Sequence, residues 1–121
     1  MKLKLLLSSL LLGTTLFAGQ FDVEVNQVQR AQAAKDHLSS ADFMLNKAYK
    51  KVVSVLDANG KKELKTAQRA WIKFRDASAK VASSRYAGGS IAGLIRLQSL
   101  IEITNDRTAQ LTKLHLDLTT N

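Results

Sequence analysis

The chain contains neither cysteine nor proline, and it has one tryptophan among 121 residues. Without cysteine, thiol catalysis, thiol redox chemistry and Cys-ligated zinc are excluded. Disulfides are excluded too, although small exported domains often depend on them because their cores are thin. Without proline, no helix interior is interrupted by a residue that removes a backbone donor. Acidic side chains are also scarce, 10 against 18 basic ones.

Only one long apolar run is present, in the opening MKLKLLLSSLLLGTTLFAGQ. Lys2 and Lys4 form a basic start, Leu5–Leu12 an apolar centre broken only by Ser8 and Ser9, and Ala18-Gly19 a small-residue cleavage site. The alternative is an uncleaved anchor, but the uncharged stretch Leu5–Gly19 falls short of the roughly 20 residues that a bilayer span requires. We therefore read residues 1–19 as a signal peptide and residues 20–121 as a single domain of a periplasmic or secreted protein. Lys2 and Lys4 leave with the leader, so 16 basic residues face 10 acidic ones, a net charge of +6. The excess lies early: residues 20–89 hold 13 Lys/Arg and 7 Asp/Glu, whereas residues 90–121 hold three of each. Such a surface suits anionic lipid, peptidoglycan carboxylates or an acidic protein. A solvated lysine face that only maintains solubility is the plainer reading. Export argues against nucleic acid.

The remaining chain has helical periodicity throughout and predicts an all-α fold. Ala41, Leu45, Ala48, Val52 and Leu56 recur at spacings of three and four. Val28, Ala31 and Leu38 extend this stripe more weakly. Ser39-Ser40-Ala41-Asp42 matches a capping signature, so residues 23–38 belong either to a separate short N-terminal helix or to one long helix. Asp57-Ala-Asn-Gly60 reads as a turn with Gly60 at positive φ, and a second helix is expected from Lys61 to about Tyr86. Its expected inner face is Leu64, Ala67, Trp71, Phe74, Ser78 and Val81. Lys62, Lys65, Arg69, Lys73, Asp76 and Lys80 form the outer face, with Asp76 and Lys80 paired one turn apart. The short turn predicts an antiparallel helical hairpin. Gly88 and Gly89 should cap the second helix and Ser90 start the third. The third helix carries a seam through Leu94, Leu97, Ile101, Thr104, Thr108, Leu111, His115 and Leu118, broadened by Leu100, Ile103 and Leu114.

No pattern names a reaction. His37 and His115 lack a ligand companion at helical spacing, and His115 falls on an apolar seam, where a structural role is the simpler reading. No Gly-x-Ser-x-Gly is present. The Gly-Gly-Ser stretch is not a phosphate loop, since no Lys-Ser/Thr follows it and no strand precedes it. Asp42, Asp76, Glu102 and Asp106 lie on three helices, each more simply paired with a base than with another acid. No enzyme activity, metal or cofactor is expected. A small hydrolase would require an unforeseen carboxylate pair in one open pocket. Gln68 and Arg75 flank Trp71, with Asp76 directed to water. Asp42 sits inward on the first helix, where a partly buried carboxylate needs a partner. Arg75 can bond it in two places, and Glu102 and Arg107 are placed to join. A structural network tying three helices is the leading reading and a ligand or partner contact the other. The basic positions Lys47, Lys50, Lys51, Lys62, Lys65, Arg69 and Lys73 are the candidate binding surface.

These residues also form a wider pattern. D-x-x-L-N-x-x-Y stands at Asp42, Leu45, Asn46 and Tyr49, and A-Q-R-x-W-I-x-F-R-D at residues 67–76. G-G-S-I stands at Gly88, Gly89, Ser90 and Ile91, and T-x-x-R-x-x-x-L at Thr104, Arg107 and Leu111. In order and spacing the chain resembles the lysozyme inhibitor LprI N-terminal domain family, small exported bacterial helical domains. The resemblance implies a non-enzymatic domain that binds lysozyme or another envelope protein and protects the cell wall. Relatives commonly carry two cysteines where this chain has Ala79 and Ser99; if bridged, they would staple the second helix to the third. Chicken-type lysozymes are basic, so a +6 inhibitor would approach one through local acids such as Asp22, Glu24 or Asp36. The alternative is an envelope module whose basic hairpin rests on anionic lipid or peptidoglycan.

Overall fold

The computed structural model describes the backbone of residues 2–120 and the side chains of residues 26–120. Three helices make up the described chain: α1 (Lys2–Val55), α2 (Ala58–Ser84) and α3 (Ala92–Thr119). The chain divides into two compact units, Met1–Gln32 and Ala33–Asn121. The first is the leading run of α1, and the side chains of the expected leader lie outside the described residues. Among the described residues no helix is long and apolar enough to cross a membrane.

α1 is continuous across the suspected break. Ser40 donates its hydroxyl to the Asp36 carbonyl one turn back (3.1 Å), a bond made inside a helix rather than at its start. No separate N-terminal helix forms, because nothing in residues 33–41 interrupts the backbone ladder. The connection to α2 differs from expectation as well. Asp57 is the N-cap, and its carboxylate Oδ1 accepts from the Gly60 N–H at 2.7 Å. Gly60 therefore lies in the first turn of α2, and the only described residue at positive φ is Gly88. What Gly60 provides is space: a Cβ there would stand 3.1 Å from both the Asp57 carboxylate and the Leu56 side chain.

α2 ends at Ser84, two residues before expectation, and successive turns over residues 85–91 lead to α3. Gly88 takes its positive φ (81°) inside this connection rather than directly behind the helix. Gly89 donates its N–H to the Tyr86 carbonyl at 2.9 Å, where an added Cβ would come within 3.2 Å of that oxygen. Ser90 does not cap α3. The N-cap is Ile91, which makes no side-chain cap bond, and its carbonyl accepts from the Ile95 N–H.

The core lies within residues 33–121. Leu45, Ala48 and Val52 of α1 meet Leu64 of α2 and Leu111 of α3, with Tyr49, Val53, Leu56 and Trp71 packed around them. Toward the other end the buried residues are small, namely Ala34, Ala41, Ala79 and Thr104. The stripe expected on α1 is the one buried from Ala41 to Val52, while Val28 is exposed. On α3, Thr104 and Leu111 are fully buried, whereas Leu114 and Leu118 near the C-terminal end are exposed.

α2 is rotated from the orientation its hydrophobicity suggests. Leu64 and Ala79 are buried and Gln68, Trp71, Arg75 and Ser78 half-buried, but Phe74 is 62% exposed, Val81 73% exposed and Ala67 exposed. The covered line is thus Leu64–Gln68–Trp71–Arg75–Ala79. Two polar residues can occupy it because each finds a partner on a neighbouring helix.

Among the described residues, one buried side-chain polar atom lacks such a partner. The Thr104 hydroxyl is inaccessible to solvent and makes no hydrogen bond, while the Thr104 carbonyl accepts from the Thr108 hydroxyl at 3.1 Å. A desolvated hydroxyl with no partner costs about 1–3 kcal/mol. Thr104→Val keeps the shape and removes that penalty, so thermal unfolding should move up by several degrees. A lower melting temperature would show that the hydroxyl is satisfied in solution.

Candidate functional site

The motif residues of α1 and α2 converge on one open groove. Asp42, Leu45, Asn46 and Tyr49 form one wall, Gln68, Trp71, Ile72 and Arg75 the other, around about 290 Å³. Their placement follows from helical spacing. Asp42, Asn46 and Tyr49 recur every three or four residues along the flank of the α1 core stripe, and Gln68, Trp71, Ile72 and Arg75 do the same on α2.

Arg75 organises the groove. Its Nε donates to Asp76 Oδ1 at 3.0 Å and its Nη1 to Asp42 Oδ1 at 3.5 Å, while the guanidinium lies 5.2 Å from the centre of the Trp71 ring. One cation therefore binds carboxylates on two helices and stacks on the single indole, as a planar fork can. The Asp42 contact is at the long limit of a hydrogen bond, so its contribution is mainly electrostatic. Asp76 turns back to Arg75, where an outward pairing with Lys80 was expected; the adjacent half-buried guanidinium is the better partner because it is already partly desolvated.

Arg107 supplies the link to α3. Its Nε donates to Gln68 Oε1 at 3.0 Å and its Nη1 to Gln110 Oε1 at 3.1 Å. Burial lowers the pKa of this guanidinium, whose described partners are two neutral amides. Glu102 is exposed and forms none of the described ion pairs. Gln110 was not singled out in the sequence, although its position three residues after Arg107 on one helix face was the available signal. The polar links thus run Asp42–Arg75 between α1 and α2, and Gln68–Arg107 between α2 and α3. Gly88, Gly89 and Ser90 belong to the α2–α3 connection and do not line the groove.

The basic candidates separate into two groups. Lys47 and Lys51 line a second groove of about 160 Å³ between α1 and α3, together with Met44, Ala48, Thr108, Thr112 and His115. His115 is half-buried there, and His37 is exposed. Lys62, Lys65, Arg69 and Lys73 are exposed along the outward stripe of α2, and Lys50 is exposed on α1. Asp36 is exposed on α1; the side chains of Asp22 and Glu24 lie outside the described residues.

Chemically, the motif groove holds and orients. Both nearby carboxylates face a guanidinium rather than each other, and neither a histidine nor a serine or threonine hydroxyl is among its walls. Among the described residues, no three His, Asp or Glu side chains gather in a metal-binding cluster.

The comparisons with known proteins agree with the motif order. An uncharacterised protein of Rhizobium meliloti (strain 1021) is 34% identical over an alignment that covers 74% of each chain. No solved structure matches the chain. The family model described as lysozyme inhibitor LprI matches residues 22–111, a span that contains both walls of the groove and the Arg107 link. By that match, the chain belongs to the lysozyme inhibitor LprI family.

Proposed function

We propose that the protein is an exported, non-enzymatic inhibitor that binds lysozyme in the cell envelope and protects the wall. The family match over residues 22–111 carries this reading. Two features of the chain support it. The opening twenty residues have the composition of a cleaved leader, and the motif groove offers positioned polar groups without a nucleophile or an acid–base pair. Charge sets the terms of contact. A domain of net charge +6 approaches a basic chicken-type lysozyme favourably only through a local acidic patch, for which Asp22, Glu24 and Asp36 are the candidates.

The test is lysis of a cell-wall suspension, followed as turbidity, with chicken-type and goose-type lysozymes and increasing amounts of purified protein. Inhibition near stoichiometric amounts is expected. It should weaken as salt rises to screen the acidic contact, and in the triple variant Asp22→Asn, Glu24→Gln, Asp36→Asn. Unimpeded lysis by both enzymes at large excess would remove lysozyme as the partner.

A second reading rests on the exposed cations of α2. Lys62, Lys65, Arg69 and Lys73 recur along one solvent-facing stripe suited to anionic lipid or peptidoglycan carboxylates. Co-sedimentation with anionic vesicles and with purified peptidoglycan separates it from the first.

A further inference from the structure

The rotation of α2 leaves an apolar seam on its outside. Ala67, Ala70, Phe74, Ala77 and Val81 are all exposed and spaced alternately by three and four residues, the a/d repeat of a helix that packs against another helix. Phe74 is 62% and Val81 73% exposed, so neither is absorbed by α1 or α3. The seam spans about 21 Å of helix, some four turns, and ends at Glu63 on its N-terminal side. Single exposed apolar residues need no explanation, but an aligned set containing a phenylalanine and a valine does.

Size and charge narrow the occupant. Alanine at three of the five positions allows a partner backbone to come close, and the two larger side chains alternate with them as knobs. This profile fits a second helix better than the interior of a lipid layer, where alanines contribute little. The charges beside the seam are basic. Lys73 and Lys80 border one side and Arg85 lies at the far end of the other, all exposed.

A second copy of this chain fits poorly. Antiparallel pairing would bring the Lys73/Lys80 edges of two copies together. Parallel pairing would set Lys80 of one against Arg85 of the other, and like charges at these flanks oppose association. From the exposed heptad seam and the cations beside it, Lys73 and Lys80 along one border and Arg85 just past the helix end on the other, we infer that α2 is a docking face for an amphipathic helix of another protein, with small or aliphatic residues at its centre and Asp or Glu facing those cations. This face is separate from the motif groove. Phe74 and Val81 do not line that groove, and an acidic helix is a different partner from a basic lysozyme.

The test uses the protein purified from the periplasm of an expression host and two labelled three-heptad synthetic helices. Both peptides carry Leu and Ala along the seam; one has Glu at its flanks and the other Lys. Fluorescence anisotropy should show the Glu peptide binding with a Kd on the order of 10 μM, at least about tenfold tighter than the Lys peptide. Phe74→Ser and Val81→Ser should each weaken binding by roughly tenfold, because both side chains would sit at the centre of the contact. Both are solvent-exposed, so circular dichroism and Trp71 emission should stay unchanged. Equal binding of the two peptides, or no binding of either, overturns the inference. So does a dimer in sedimentation that Phe74→Ser dissociates, or capture by anionic vesicles that requires Phe74 in the absence of peptide binding. Lysozyme inhibition that persists in Phe74→Ser keeps this outcome distinct from the inhibitor reading.

Discussion

Leu111→Ala should lower the melting temperature of the protein by more than about 10 °C. Leu111 is fully buried and belongs to a cluster to which all three helices contribute, with Leu45, Ala48 and Val52 of α1 and Leu64 of α2. Truncating a buried leucine costs roughly 2–5 kcal/mol, through lost transfer energy plus the cavity left behind. The upper half of that range applies where the surroundings cannot collapse. Here the walls are helical backbones carrying Leu45, Val52 and Leu64, and the remaining buried positions are mostly alanines with no reach to fill a gap. For a domain of this size each kcal/mol moves the midpoint by about 4–8 °C. The chain has no disulfide to limit the loss. Thermal unfolding followed by circular dichroism measures it directly; a shift under about 3 °C would mean that Leu111 is not the point where the helices meet.

Arg75→Ala should lower the midpoint by about 5–10 °C and shift the emission of Trp71 to longer wavelength. The guanidinium is mostly covered while the Asp42 and Asp76 carboxylates remain nearly half exposed, so solvent screening reduces what each ion pair contributes. A loss of about 1–2 kcal/mol is therefore expected rather than the larger cost of a fully buried pair. Part of it is packing, since the guanidinium covers one face of the indole. Arg75→Lys should recover little: an ammonium cannot donate to two carboxylates and stack as a plane at once. Because Trp71 is the only tryptophan, its emission reports on this groove alone. An unchanged midpoint together with unchanged emission would assign Arg75 to partner binding instead of to the link between α1 and α2.

The periodic positions of α1 from Ala41 to Val52, the connection near Asp57 and the seam of α3 from Leu94 to Leu111 could be read before any coordinates. Each depends on local rules, namely helical spacing and the tendency of an Asp-Ala-Asn-Gly run to break a helix. So could the pairing of Asp42 with Arg75, because a half-buried carboxylate and a guanidinium on facing helices leave few alternatives. The motif blocks placed the chain in its family without reference to the fold.

Other features were settled only when the helices packed. α1 could be one helix or two by its sequence, because Ser39 can cap a helix or lie within one, as Ser40 does by donating to the carbonyl a turn back, and the surrounding residues decide between them. The N-terminus of α2 moved to Ala58 because Asp57 offered a stronger cap than the glycine turn expected three residues on. The orientation of α2 was the largest change. Hydrophobicity alone would turn Phe74 and Val81 inward, but the helix rotates so that Arg75 reaches Asp42 and Gln68 reaches Arg107. Composition determines how much apolar surface this chain has to bury. Which of it is buried depends on polar pairs between helices, since an unpartnered buried charge costs more than an exposed phenylalanine.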